Sequence, residues 1–197
     1  MIAVVDYGVG NLRSVERALV QASAEPLITA DPEELDRAQG LVLPGVGAFS
    51  AAVGKLSKNG LGRRVADLAR HGKPVLGVCL GYQLLFDEST EGGRHEGLGL
   101  LAGRVVLVEG SPHLPVIGWS RLKQTAPSSL WDGVADEAYF YFVHSYAPES
   151  SESAIGCTAH SPAAAAAQGN VMGTQFHPEK SGDDGLRIYR NFVAMCA

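Results

Sequence analysis

Apolar positions fall along the first half of this chain in two alternating rhythms. Ile2-Ala3-Val4-Val5, closed by Asp6 and the turn Tyr7-Gly8-Val9-Gly10, is a short β-branched run of the kind that forms a buried strand. Asn11 then stands where a helix cap belongs, and Leu12, Val15, Leu19 and Val20 recur at helical spacing. The same alternation continues downstream. It predicts strands over 2–6, 26–29, 40–43 and 74–78, and helices over 12–23, 48–56, 61–71 and 80–86. Asp31-Pro32 reads as the cap and first position of one further helical turn. Strand and helix in alternation imply an α/β fold, with a doubly wound, mostly parallel sheet of flavodoxin-like type and helices on both faces.

From about Glu88 the texture changes. Residues 91–97 form a glycine-rich loop, and the apolar runs beyond it are separated by turns. Antiparallel strands are expected over 104–108, 119–123, 139–143 and 171–176. Ala163 to Ala167 has the composition of a helix, but it lies between Pro162 and Gly169, too short to hold one alone, and is assigned to a strand. An amphipathic helix over 183–195 closes the chain through Leu186, Ile188, Tyr189, Phe192 and Val193. With no internal repeat or linker, a single domain over 1–197 is expected.

Composition narrows the function classes. A chain of 197 residues with 46% apolar content is long enough to bury roughly 70% of its unfolded surface. Its 16 basic and 21 acidic side chains give a net charge of -5 with no basic run, so nucleic acid is not an expected partner. No basic leader precedes a long apolar segment and no 18-residue apolar span occurs, which points to a soluble, cytoplasmic chain without a membrane partner. Cys79, Cys157 and Cys196 are odd in number and far apart, suggesting neither a disulfide framework nor a zinc ribbon. His71, His95, His113 and His160 are scattered without ligand spacing, so no metal is expected. Arg13 stands where a dinucleotide fingerprint beginning at Gly8-Val9-Gly10 needs its third glycine, and there is no phosphate loop. No cofactor is expected.

The chemistry lies elsewhere. Gly77-Val78-Cys79-Leu80-Gly81 follows a strand and opens a helix, the setting of a nucleophile elbow, whose tight turn needs small neighbours and exposes its central side chain. The helix end beneath Cys79 offers partial positive charge that favours a thiolate, and amides that stabilise an oxyanion. A thiol nucleophile needs a base and the base an orienting acceptor. Gly173-Thr174-Gln175-Phe176-His177-Pro178-Glu179 supplies both, with His177 to take the proton and Glu179 to hold its far ring nitrogen. Alone, His-x-Glu is a weak signal; together with the elbow it makes a Cys79-His177-Glu179 triad. Pro44-Gly45-Val46-Gly47 comes after the third strand, beside the elbow, where two glycines let a backbone amide turn toward an oxyanion. His144, at a strand end, is a second candidate base, more simply read as a histidine satisfied by backbone groups.

Five stretches, in order, resemble the class I glutamine amidotransferases, and among them the branch that serves histidine biosynthesis. They are Asp6 to Val15, Pro44 to Phe49, Gly77 to Leu85, Tyr141 to Tyr146 and Gly173 to Ser181, spread over nearly the whole chain. The resemblance implies that Cys79 attacks the side-chain amide of glutamine and His177 protonates the leaving ammonia. It also implies that the amide of Leu80 and a peptide of Gly45-Val46-Gly47 hold the oxyanion. Gln83, Glu91, Ser145 and Tyr146 match positions that grip the amino-acid end of glutamine. The implied partner is a cyclase subunit, HisF, a (β/α)8 barrel joined as a heterodimer, which receives the ammonia and makes imidazole glycerol phosphate. Asn11, Trp119 and Lys180 match positions facing that partner, although Trp119 reads equally well as a core residue. The branch is typically silent until its cyclase binds nucleotide, which suggests that a peptide near Val46 reorients. One departure is visible: Pro115-Val116-Ile117-Gly118-Trp119 carries valine where the family usually has histidine. The competing readings are a glutaminase of another pathway such as pyridoxal phosphate synthesis, a stand-alone cysteine hydrolase or chaperone of a related elbow fold, and a noncatalytic subunit.

Overall fold

The computed structural model describes residues 1–58 and 60–197. The first half follows the alternation: strands β1 (Ile2–Val5), β2 (Pro26–Thr29), β3 (Gly40–Leu43) and β4 (Val75–Val78) are linked through helices α1 (Leu12–Gln21), α2 (Pro32–Arg37), α3 (Phe49–Lys58) and α4 (Leu61–Arg70). These strands pair in parallel in the order β2-β1-β3-β4. The period of two sorts β1 between two cores: Ile2 and Val4 pack with α1 and the C-terminal helix, Ala3 and Val5 with α2, α3 and α4. Asp31 caps α2 by accepting from the amide of Glu33 at 2.9 Å. Asn11 precedes α1 without making a side-chain cap bond.

Downstream come helix α5 (Leu80–Gln83), strands β5 (Phe86–Ser89), β6 (His95–Glu96), β7 (Leu101–Leu107), β8 (Val116–Arg121), β9 (Lys123–Gln124), β10 (Tyr139–His144), β11 (Tyr146–Pro148), β12 (Ala154–Thr158), β13 (Ser161–Gln168) and β14 (Val171–Thr174), and helix α6 (Gly182–Met195). The main sheet runs β2-β1-β3-β4-β14-β13-β12-β9; β11-β7-β5-β6 form a second sheet and β8-β10 a two-stranded ribbon. Among the described residues no helix is long and apolar enough to cross a membrane.

Four expectations are corrected. The helix expected over 80–86 stops at Gln83, because the carbonyls of Leu84, Leu85 and Phe86 accept from the amides of Leu98, Leu100, Leu101 and Gly99 instead. Residues 91–97 are not all loop: His95 and Glu96 pair with Ser89 and Glu88 as a hairpin. The stretch 119–123 is split at buried Leu122, where the chain passes from the ribbon to the edge of the main sheet. Finally, β14 is antiparallel only to β13. A two-residue turn at Gly169-Asn170, with Gly169 in the left-handed region, folds it back, and on its other side it lies parallel to β4. Asn170 fixes this placement by donating to the carbonyls of Ala69 (2.7 Å) and Lys73 (2.8 Å).

The alanine run does form a strand. Ala163 to Ala166 are wholly buried in β13, with Ala166 in the same core as Tyr82, which donates its hydroxyl to the carbonyl of Ala163 at 3.0 Å. Tyr82 also fills the space beside Gly173 of β14. At the opposite side of the elbow, a Cβ on Gly81 would fall on the carbonyl of Leu43. Since that neighbour is backbone at the end of a buried strand, it cannot yield as a flexible side chain would. Gly81→Ala is therefore expected to lower the unfolding free energy by about 3 kcal/mol, measured by urea denaturation.

Candidate active site

The elbow is shaped by its neighbours rather than by Cys79. Cys79 sits at φ 54, a conformation that side chains rarely adopt, with its amide donating to the carbonyl of Thr174 (2.8 Å) and its carbonyl accepting from Gln83 (3.1 Å). The turn is tight enough that a Cβ on Gly77 would stand 2.6 Å from the Cα of Tyr82. Held this way, the thiol points over the C-terminal ends of β4 and β14, 3.9 Å from the carbonyl of Val143 and 3.9 Å from Nε2 of Gln175.

His177 and Glu179 come from the turn between β14 and α6. Nδ1 of His177 and Oε1 of Glu179 are 2.8 Å apart, and both side chains are 2% exposed. The turn is pinned from β10: the amide of His177 donates to the carbonyl of Tyr141, and Ser181 Oγ accepts from the Tyr141 amide while donating to the His177 carbonyl at 2.6 Å. Nε2 of His177 is buried without a partner, and the residue shares with Cys79 a cavity of about 250 Å³. Burial opposes charge on His177, yet the Cys79 sulfur and the Glu179 carboxylate outweigh it and raise the imidazole to about 10. The three residues singled out from the sequence, Cys79, His177 and Glu179, thus lie in one place.

Of the expected oxyanion donors, Leu80, Val46 and Gly47 line this cavity, but Gly45 does not. Gly45 is a spacer, with no room for a Cβ between the Tyr7 hydroxyl (2.6 Å) and the Gly81 amide (2.8 Å). Tyr7 steadies the loop by donating to the carbonyl of Pro44 at 2.6 Å. Burial, with Cys79 nearby, pushes its phenol well above the usual range. Gly47 is at φ 101 with open space around it, and Val46 is exposed.

Gln83, Glu91, Ser145 and Tyr146 all face the cavity. Gln83 donates its amide nitrogen to the Tyr146 carbonyl (2.7 Å) and to Oε1 of Gln175 (3.1 Å). Glu91 accepts from the amide of Phe49 at 2.8 Å, tying the cavity wall to the start of α3. Gln175, which nothing in its polar local sequence singles out, is fully buried between Gln83 and Cys79. His144 also lines the cavity, but its expected backbone partner is replaced by Ser161, whose Oγ is 2.9 Å from Nε2. Burial, reinforced by His160 and His177, pushes His144 down to about 4, leaving it neutral and a poor base.

The side chain of Trp119 settles the choice between core and surface, since it is 55% exposed. It meets Tyr141 edge-on at 6.2 Å, and Nζ of Lys180 lies 5.7 Å over the same ring. Ile117 and Tyr139 continue this apolar stripe along the open face of β8 and β10. Asn11 is exposed at the start of α1, which packs beside the Pro178–Lys180 turn. Val116, in the place usual for histidine, pairs across the ribbon with His144. Among the described residues no group of three or more histidine, cysteine or acidic side chains is arranged to hold a metal.

Comparison with known proteins agrees with this geometry. The family model for glutamine amidotransferase class-I matches residues 3–196. A curated relative, imidazole glycerol phosphate synthase subunit HisH of Desulfitobacterium hafniense, is 46% identical over 196 residues, covering 98% of this chain and 93% of its own. The protein of the same name from Methanosarcina mazei is 45% identical over 201 residues, covering 99% of this chain and 98% of its own. Among solved structures, a glutamine amidotransferase superposes with a TM-score of 0.80 at 19% identity, covering 100% of this chain and 99% of that one. PurLQS from Thermotoga maritima does so at 0.77 and 19%, covering 98% and 97%. With a family model spanning almost every residue and relatives of this identity over their full length, the chain belongs to the class I glutamine amidotransferases.

Proposed function

We propose that this chain is the glutaminase subunit of an imidazole glycerol phosphate synthase, releasing ammonia from glutamine with the triad Cys79, His177 and Glu179. The observation that carries the reading is the elbow thiol sharing a small polar cavity with a histidine whose other nitrogen is held by a buried carboxylate. In this reading the thiolate of Cys79 attacks the amide carbon of glutamine, and the charge that develops on oxygen is met by the amide of Leu80 and a peptide of the Val46-Gly47 loop. His177, charged at neutral pH, gives its proton to the departing nitrogen as the C–N bond breaks, leaving a glutamyl thioester and ammonia. Water then attacks the thioester, His177 takes the proton, and glutamate leaves with the thiolate restored. Glu179 holds the ring and balances its charge. Glu91, Gln83, Ser145 and Tyr146 form the wall that receives the amino-acid end of the substrate.

Ammonia set free in neutral water is protonated and loses its nucleophilicity, so the reaction is useful only against a covered acceptor. The exposed stripe of Ile117, Trp119, Tyr139 and Tyr141, with Lys180 and Asn11 at its margin, suits the docking of the (β/α)8 cyclase subunit. The open space around Gly47 allows the adjoining peptide to turn when that partner is loaded with nucleotide.

Glutamate release measured for the chain alone, with the cyclase, and with cyclase plus its nucleotide should rise steeply only in the full mixture; equal rates in all three would remove the synthase assignment. Cys79→Ala should cut glutamine-dependent synthesis by about a thousandfold or more while ammonia-driven synthesis by the complex is retained, because the thiol serves only to liberate ammonia. The pH profile carries a third expectation. Since the imidazole is held charged up to about 10, activity should fall on the alkaline side only as pH passes through that value, and Glu179→Gln should move this limb to lower pH.

A further inference from the structure

Resting on the triad reading above, a buried group outside it remains to be explained. Oε1 of Glu179 faces His177, but its second oxygen, Oε2, is buried with no hydrogen-bond partner. Helix α6, which packs on the Pro178–Lys180 turn, carries a second orphan of opposite kind, the hydroxyl of Tyr189, on a side chain with no exposed surface. The helix geometry directs one toward the other. Gly185 approaches the Pro178–Lys180 turn so tightly that a Cβ there would fall on the carbonyl of Pro178. Tyr189 is four residues further on, on the same face of α6, and helical side chains lean back toward the N-terminus, over the turn before them. Its ring is thereby aimed at the segment that carries Glu179. A buried carboxylate oxygen and a buried hydroxyl are each costly if left unpaired, so pairing them removes two penalties at once.

We infer that Tyr189 is a positioning residue for the triad: neither atom is bonded in this structure, and a small closing movement of the side chains lets the Tyr189 hydroxyl donate to Oε2 of Glu179, holding the carboxylate oriented while His177 cycles between its charged and neutral forms. Glu179, for its part, pushes the already buried Tyr189 phenol further upward, as a carboxylate facing it would. The other titratable groups around the pair are His177, with Cys79 and His144 beyond it; Lys180 is exposed and lies on Tyr141. No covalent step is assigned to Tyr189, which does not line the cavity.

The test is Tyr189→Phe, which removes one oxygen and leaves the ring, assayed in the full chain assembled with its synthase partner. Losing the donor leaves Oε2 unsatisfied and makes Glu179 easier to protonate. The acid limb of kcat for glutamine hydrolysis should then move up by about one pH unit, and kcat should fall about tenfold with KM for glutamine unchanged. Ammonia-driven synthesis should not change. A pH profile and kcat that superpose on the wild type, or a loss confined to thermal stability, would overturn the inference and leave Tyr189 a packing residue. Tyr189→Leu, which removes ring and hydroxyl together, should give the same pH shift if the hydroxyl is responsible, and none if only ring packing matters. The Cys79→Ala control separates this inference from the reading beneath it: if that variant still hydrolyses glutamine, the triad itself fails whatever Tyr189 does.

Discussion

The close backbone approach of Gly81 to the carbonyl of Leu43 is the contact on which the site depends. It lets the chain leave β4, reverse at Cys79 and start α5 directly against the end of β3, with Gly45 filling the remaining space under the Tyr7 hydroxyl. The thiol and the Gly45-Val46-Gly47 loop are thus set by three backbones in contact, which do not adjust as side chains do. The unfavourable φ of Cys79 is tolerated because both its flanks are held, Gly81 against the carbonyl of Leu43 and Gly77 against Tyr82.

On this frame the site divides its polar groups by charge. Two histidines border one cavity, yet their surroundings drive them in opposite directions. His144, with only a hydroxyl for company and other imidazoles near, stays neutral; His177, between a sulfur and a carboxylate, stays charged. Burial acts on both, so the neighbour decides the outcome. Gln83 and Gln175, neutral and buried, join the thiol to the Tyr146 wall without adding charge that would disturb this division.

Much of this was legible along the chain, for reasons that can be named. The parallel half obeys local rules: β1 to β4 are short apolar runs, and the elbow announces itself through glycines at both flanks of Cys79. The cluster of Cys79, His177 and Glu179 was legible because each of the three sits in a motif with a mechanical reason for its neighbours. What escaped reading was set by distant partners. Nothing local says that Leu84 to Phe86 will give their carbonyls to 98–101, or that β14 will find β4 on one side and β13 on the other. Ser161 as the partner of His144 is 17 residues away across strands, and Gln175 looks like any polar residue until its burial is known. Trp119 needed the ribbon's open face to distinguish an anchor from a core ring.

The four alanines of β13 carry a consequence for how this chain can vary over time. They are chemically the plainest residues in the molecule, and a substitution there would look conservative on any scale of polarity. Yet each is wholly enclosed: Ala164 and Ala165 face one core and Ala166 the other, which it shares with the ring of Tyr82, one helical turn from Cys79. An added methyl group at Ala166 would press through Tyr82 onto α5 and so onto the turn that presents Cys79. The strand therefore has room for larger side chains only at its exposed positions, and this patch of near-featureless sequence is as constrained by volume as the site is by chemistry.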